Sequence, residues 1–129
     1  MTQVSAAPLF QSVPDDVFHL FEDDGQPQAQ KVVDLLKYRK ADVAAATNVP
    51  LGSIRYDAKM PDELRERITE WAIAINLVGG FFENETKTML WLQTPNPLLS
   101  DLSPREMIRT GRFKKLLKLI RTALAENTR

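Results

Sequence analysis

From Gln28 onward the apolar positions of this chain recur at steps of three and four, the spacing that lines one face of an α-helix. Gln28–Arg39 reads as a helix with Val32, Leu35 and Leu36 on one face and Tyr38 near its end. Lys40–Asp57 reads as two short helices around a turn. In the first, Lys40–Ala46, Val43 points inward and Ala44 is small where another helix must approach. Asn48 stands at the turn, where a residue tolerant of positive φ is needed. Val49 then packs inward, Pro50 opens the second helix and Ile54 holds it to the core. Met60–Phe82 is the longest predicted helix, started by Pro61, with Asp62 and Glu63 in the first turn where the helix dipole favours acids. Its stripe is Leu64, Ile68, Trp71, Ile75, Val78 and Phe82. From Trp71 on, Ile73, Ala74 and Leu77 make other faces apolar too, so this helix is buried in its own core, against a second copy, or both. Gly79 and Gly80 weaken or end it.

Asn84 caps the next helix, Glu85–Gln93, which carries Met89, Leu90 and Trp91 into a corner. The stretch Trp91–Arg112, WLQTPNPLLSDLSPREMIRTGR, organises the rest of the chain. In Thr94-Pro95-Asn96-Pro97 each proline removes a donor and holds the preceding residue extended, so no helix runs through. Trp91 is expected to be buried against the two prolines and Leu98 or Leu99, and Asn96 to bond backbone groups that the prolines free. Ser103 then reads as an N-cap, Pro104 as the first helical residue, and Glu106 as the partner that completes a capping box. Gly111 ends that helix in a left-handed turn. Gly111–Glu126 is amphipathic, with Phe113, Leu116, Leu117, Ile120 and Leu124 as the buried stripe and Lys114, Lys115, Lys118 and Arg121 on other faces. The pattern defines an all-α chain.

Composition narrows the chemistry. The chain has 129 residues, is 43% hydrophobic and contains no cysteine, so it can bury a core but holds no disulfide, thiol nucleophile or cysteine metal site. With one histidine, no glycine-rich phosphate loop and no paired metal-ligand spacing, no enzyme, cofactor or metal site is expected. The absence of a basic region followed by an apolar run gives no signal peptide, and no apolar run reaches the roughly 20 residues a membrane span needs, so a cytoplasmic protein is expected. A net charge of zero conceals an asymmetry. Met1–Gln26 carries Asp15, Asp16, Glu22, Asp23 and Asp24 without a basic residue, while Ser103–Arg129 is strongly basic. The first dozen residues are expected to be disordered or extended. Val17–Phe21 is expected to form a short strand or one helical turn on the body.

The two short helices around Asn48 have the form of a helix-turn-helix. If that unit binds DNA, Leu51, Gly52, Ser53, Arg55 and Tyr56 face the major groove, Arg55 is the candidate for reading guanine, and Lys40 and Lys59 touch phosphates. The surrounding segment Lys31–Glu70 is nearly neutral, which makes phosphate attraction weak, so a scaffold of the same shape that does not bind DNA stays open.

The second half carries a resemblance. Trp91, Thr94-Pro95-Asn96-Pro97, the pair Leu98-Leu99, Ser103-Pro104, Glu106, Met107-Ile108, Thr110 and Gly111, followed by a basic amphipathic helix, resemble the toxin-binding domain of the Xre/MbcA/ParS antitoxin family. This chain has Ser100-Asp101 in the polar link where the family often has glycine. The resemblance is strongest from Trp91 onward and extends weakly to about Leu35. After the acidic arm over 1–26 that the charge pattern marks, it implies an Xre-like helix-turn-helix region over 27–83 and a toxin-binding domain over 84–129. It also implies a homodimeric type II antitoxin that smothers a RES-domain toxin acting on NAD and represses its own operon through operator DNA. The residues it places on the toxin are Trp91, Thr94, Pro95, Asn96, Leu98, Leu99, Pro104, Ile108, Arg112 and Lys115. The basic face of the last helix has three possible uses, which are DNA phosphate, the acidic arm and an anionic groove on a partner. The tail Ala125–Arg129 is then a candidate plug for the toxin's pocket. A stand-alone helix-turn-helix regulator without a toxin is the alternative.

Overall fold

The computed structural model describes residues 14–127. They form α1 (Ala29–Leu35), α2 (Lys40–Thr47), α3 (Asp62–Phe82), α4 (Glu85–Gln93), α5 (Pro104–Arg109) and α6 (Phe113–Asn127), with single 3-10 turns at Leu51–Ser53 and Pro97–Leu99. Among the described residues there is no strand, only isolated bridges between Phe21 and Pro27 and between Asn96 and Leu102. The fold is all-α. The expectation for the first dozen residues, and the far end of the tail, lie outside the described residues. No helix among them is long and apolar enough to cross a membrane.

The centre of the molecule is α3. Leu64, Ile68, Trp71, Ile75 and Val78 are buried as the spacing predicts. Burying side chains of this size stabilises by roughly 1.5–3 kcal/mol each. On the remaining face, Ile73 and Ala74 are buried within the chain and Leu77 is half-buried. α1, α2, α4 and α6 all pack on α3, and the core runs without a break from Leu20 to Ile120.

Two expectations about α3 change. Pro61 is the residue before the helix, not its first, with φ −58° and ψ 144°. Gly79 and Gly80 do not end it; the helix continues to Phe82 and closes at Glu83, φ 53°. Gly79 serves a different end. A Cβ there would lie 2.5 Å from Phe18 Cε2, so the missing side chain is the notch that receives the Phe18 ring.

The segment around Phe18 is a turn rather than a strand or a helical turn, and Asp16 holds it. Its carboxylate accepts from the Leu20 and Phe21 amides at 2.7 and 3.0 Å and from Asn76 Nδ2 of α3 at 2.9 Å. Asn76 Oδ1 in turn accepts from the Phe18 amide at 3.4 Å. A buried amide in the apolar second half of α3 thus finds its partners in the acidic arm.

α1 is shorter than predicted and buries Val33 with Val32 and Leu36, while Leu35 is half-buried. α2 ends as expected at Asn48, with φ 62° and ψ 17°, and Val43, Val49 and Ile54 all point inward. The helix expected after Pro50 does not form. Leu51–Ser53 makes one 3-10 turn, Ile54 is extended with ψ 112°, and no α-helix resumes before Asp62.

Candidate docking surface

α4 begins where Asn84 Oδ1 accepts from the Lys87 amide at 2.8 Å, and ends where Thr94 Oγ1 donates to the Leu90 carbonyl at 2.6 Å. Its inward face is Thr88 and Leu92. Trp91 is therefore turned aside. It is half-buried and lines an apolar groove of ≈ 100 Å³ with Val78, Phe81 and Phe82 of α3 and Ile120 and Leu124 of α6. The expected burial of Trp91 is corrected accordingly; Leu92 takes the buried place.

The corner after α4 is closed by Asn96. Its side chain accepts from the Leu98 amide at 2.9 Å, its amide donates to the Leu102 carbonyl at 3.0 Å, and its carbonyl accepts from the Leu99 and Asp101 amides at 2.8 and 3.0 Å. Ser100 and Asp101 both adopt positive φ, 58° and 66°, a conformation that glycine reaches without strain. This arrangement sinks Leu99 into the core and leaves Leu98 72% exposed.

α5 restarts as predicted at Ser103, whose Oγ accepts from the Glu106 amide at 3.1 Å, with Pro104 at the first position. Glu106 directs its carboxylate elsewhere than the expected capping box, to Arg109 at 2.5 Å and Arg105 at 3.3 Å. Gly111 turns the chain with φ 78° into α6. Lys114, Lys115 and Lys118 stand exposed on α6, and Phe113, Leu116, Leu117 and Ile120 are buried.

Of the residues expected on a partner surface, Thr94, Pro95, Leu98, Arg112 and Lys115 are exposed, and Trp91 and Asn96 are half-buried. Leu99, Pro104 and Ile108 are not on the surface. They are buried under it, because α5 turns its apolar pair inward, and they support the surface rather than form it. The exposed apolar residues that the sequence pattern did not single out are Phe81 and, as a contact residue, Leu90, at 48% and 65% exposure. Phe81 was hidden by its position after two glycines, which look like a helix end.

The expected DNA-reading residues fare differently. Lys40, Leu51, Ser53, Arg55 and Lys59 are exposed, but no recognition helix carries them. Arg55 is engaged by Asp57 in a two-pronged pair, Nε–Oδ1 2.8 Å and Nη2–Oδ2 2.6 Å. That hydrogen bond raises the Arg55 pKa further and lowers that of Asp57. Tyr56 is half-buried against the core, its hydroxyl enclosed without a partner, and burial followed by the charge of Asp34 raises its pKa.

No protein-family model matches this chain, and no curated protein matches it. Among solved structures, the fold is similar to a chain of the M. tuberculosis MbcT–MbcA toxin–antitoxin complex. The TM-score is 0.53 at 21% identity, covering 79% of this chain and 94% of that chain. The all-α arrangement is therefore a fold already seen in that complex.

Proposed function

We propose that this protein is an antitoxin that binds and occludes a toxin protein. The observation that carries the reading is the stiff corner that lifts Leu98 into solvent, within a fold similar to a chain of a toxin–antitoxin complex. Leu90, Leu98 and the Phe81–Trp91 groove supply apolar contacts, and Arg112, Lys115 and Lys118 a basic margin. Exposed aliphatic and aromatic anchors with a polar rim are the composition of protein interfaces. Neutralisation is steric: the corner and α6 seat on the toxin and close its pocket. A RES-domain toxin consuming NAD is the partner that the resemblance implies.

Repression of the operon is a separate part of the proposal, and the missing recognition helix and the Arg55–Asp57 pair give it less support than toxin binding. The alternative of a stand-alone helix-turn-helix regulator loses its main support for the same reason. Co-expression with the product of the neighbouring gene tests the first part. The expected result is a stable complex and relief of toxicity, weakened by Leu98→Asp and unchanged by Arg55→Ala. A wild-type chain that neither binds nor relieves toxicity overturns it. Titration of the upstream DNA across a range of salt tests the second: a shift abolished by Arg55→Ala would restore the major-groove reading.

A further inference from the structure

Arg105 lies outside the exposed anchors, yet it ties together parts of the molecule that are far apart in the chain. It sits on α5, directly after the corner. Its Nε donates to the Leu36 carbonyl and its Nη2 to the Lys37 carbonyl at 2.8 Å. Those two carbonyls lie just past α1, at its C-cap Leu36 and the residue after it. Lys37 stands there in a left-handed conformation, φ 59°, which turns its carbonyl out of the helix path. The guanidinium also lies 4.9 Å from the centre of the Tyr38 ring. Tyr38 answers in the other direction, its hydroxyl donating to the Arg105 carbonyl at 2.5 Å. The Tyr38 ring is itself fixed edge-on against Trp71 of α3, 5.8 Å between centroids. The open cavity beside the pair is lined by Lys37 from the first half of the chain and by Gln93, Pro95 and Asp101 from the second.

We propose that Arg105 is the positioning residue of the docking surface, a clamp that holds the proline corner and α5 in one register against the end of α1. The inference rests on the reading of that corner as a docking site. Only a planar fork reaches two neighbouring carbonyls and an aromatic face at once, so an ammonium at this place keeps the charge and loses the clamp. The backbone of the corner is tied mostly to itself through Asn96, and such a loop can be internally intact yet swing as a unit. Leu99, Met107 and Ile108 seat it by burial, and Arg105 and Tyr38 add the polar ties that fix it to the end of α1.

Hydrogen exchange on the full chain without any partner tests this directly. In Arg105→Lys and Arg105→Ala alike, the amides of Met107 on α5, of its C-cap Thr110 and of Tyr38 just past α1 lose protection, while Ile68 and Ile75 on α3 keep theirs. Tyr38→Phe, which removes the hydroxyl and keeps the ring, gives a smaller loss at the same amides. Association with the neighbouring gene's product is the second readout. If the docking-competent fraction falls to about a tenth, apparent affinity weakens about tenfold, carried by slower association. Wild-type protection in Arg105→Lys, or a loss spread evenly over α3, overturns the proposal. If the neighbouring product fails to bind the wild-type chain, the docking reading falls, and the exchange data still decide whether Arg105 holds the corner.

Discussion

The turn after α2 and the corner after α4 are made of similar materials: an asparagine at the bend, proline within two residues of it, and short apolar runs on either side. At the first, Asn48 takes the left-handed conformation, and beyond Pro50 the chain manages one 3-10 turn. At the second, Asn96 gathers four backbone hydrogen bonds and α5 then restarts in full. The difference lies on the far side of each bend. Ser103 offers an oxygen to the Glu106 amide and Pro104 presets the first helical φ. Pro50 has no capping side chain beside it, and Gly52 is a weak helix former. Arg55 and Asp57 pair across two residues, which do not face each other on a helix, so the pair favours the extended form. A bend is specified locally, whereas a helix beyond it needs its own start signals.

The largest expected effect separates the two segments by burial. Leu99→Ala should cost about 2–5 kcal/mol, because the corner sinks that side chain completely, whereas Leu51→Ala should stay within about 0.5 kcal/mol. Denaturant midpoints of the two variants measure the contrast, and equal losses would break it. Next comes α3, against which both α2 and α4 pack. Gly79→Ala should destabilise by about 1–3 kcal/mol by driving a methyl into the Phe18 ring, and Phe18→Ala in the same chain should recover part of the loss. A smaller effect distinguishes the asparagines. Asn96→Ala removes a capping oxygen worth about 1 kcal/mol, while Asn48→Gly should be neutral or slightly stabilising, since its role is only to accept positive φ. Thermal melts of both would show it.

The smallest effect depends on pH and lies outside both bends. Glu70 is buried on α3 beside Arg67, and burial outweighs that partner to raise its pKa. With the folded value above the unfolded one, its contribution to stability is complete below the unfolded pKa of about 4.3 and is lost as the pH rises through the raised value. Glu70→Gln should therefore melt at or above the wild-type temperature at neutral pH, with the difference closing near pH 4. A variant that melts lower at neutral pH would show that the Arg67 pair dominates.

The legibility of the sequence divides in the same way. Asn84, Ser103, Pro104 and Gly111 each carry a local demand that one residue type meets, and each stands where the pattern put it. Leu99 and Ile108 were legible as apolar but not as inward-facing, because which way they face is decided by the space that elements distant in sequence leave open, α2 and α6 among them. Gly79 looked like a helix end since glycine has the same local meaning there; that it is a notch depends on Phe18, far away in the chain. Arg105 gave no signal at all. Its partners are backbone carbonyls, and these have no identity in a sequence.

The pairing of Tyr38 with Arg105 also spans 67 positions. A ribosome delivers the first of these well before the second, so the early helices leave the exit tunnel with the end of α1 still open. The nascent chain completes that end only after Arg105 has emerged. Truncations that stop before residue 105 should thus release a first half that is only loosely assembled, exposed to proteases for as long as its fastening is unmade.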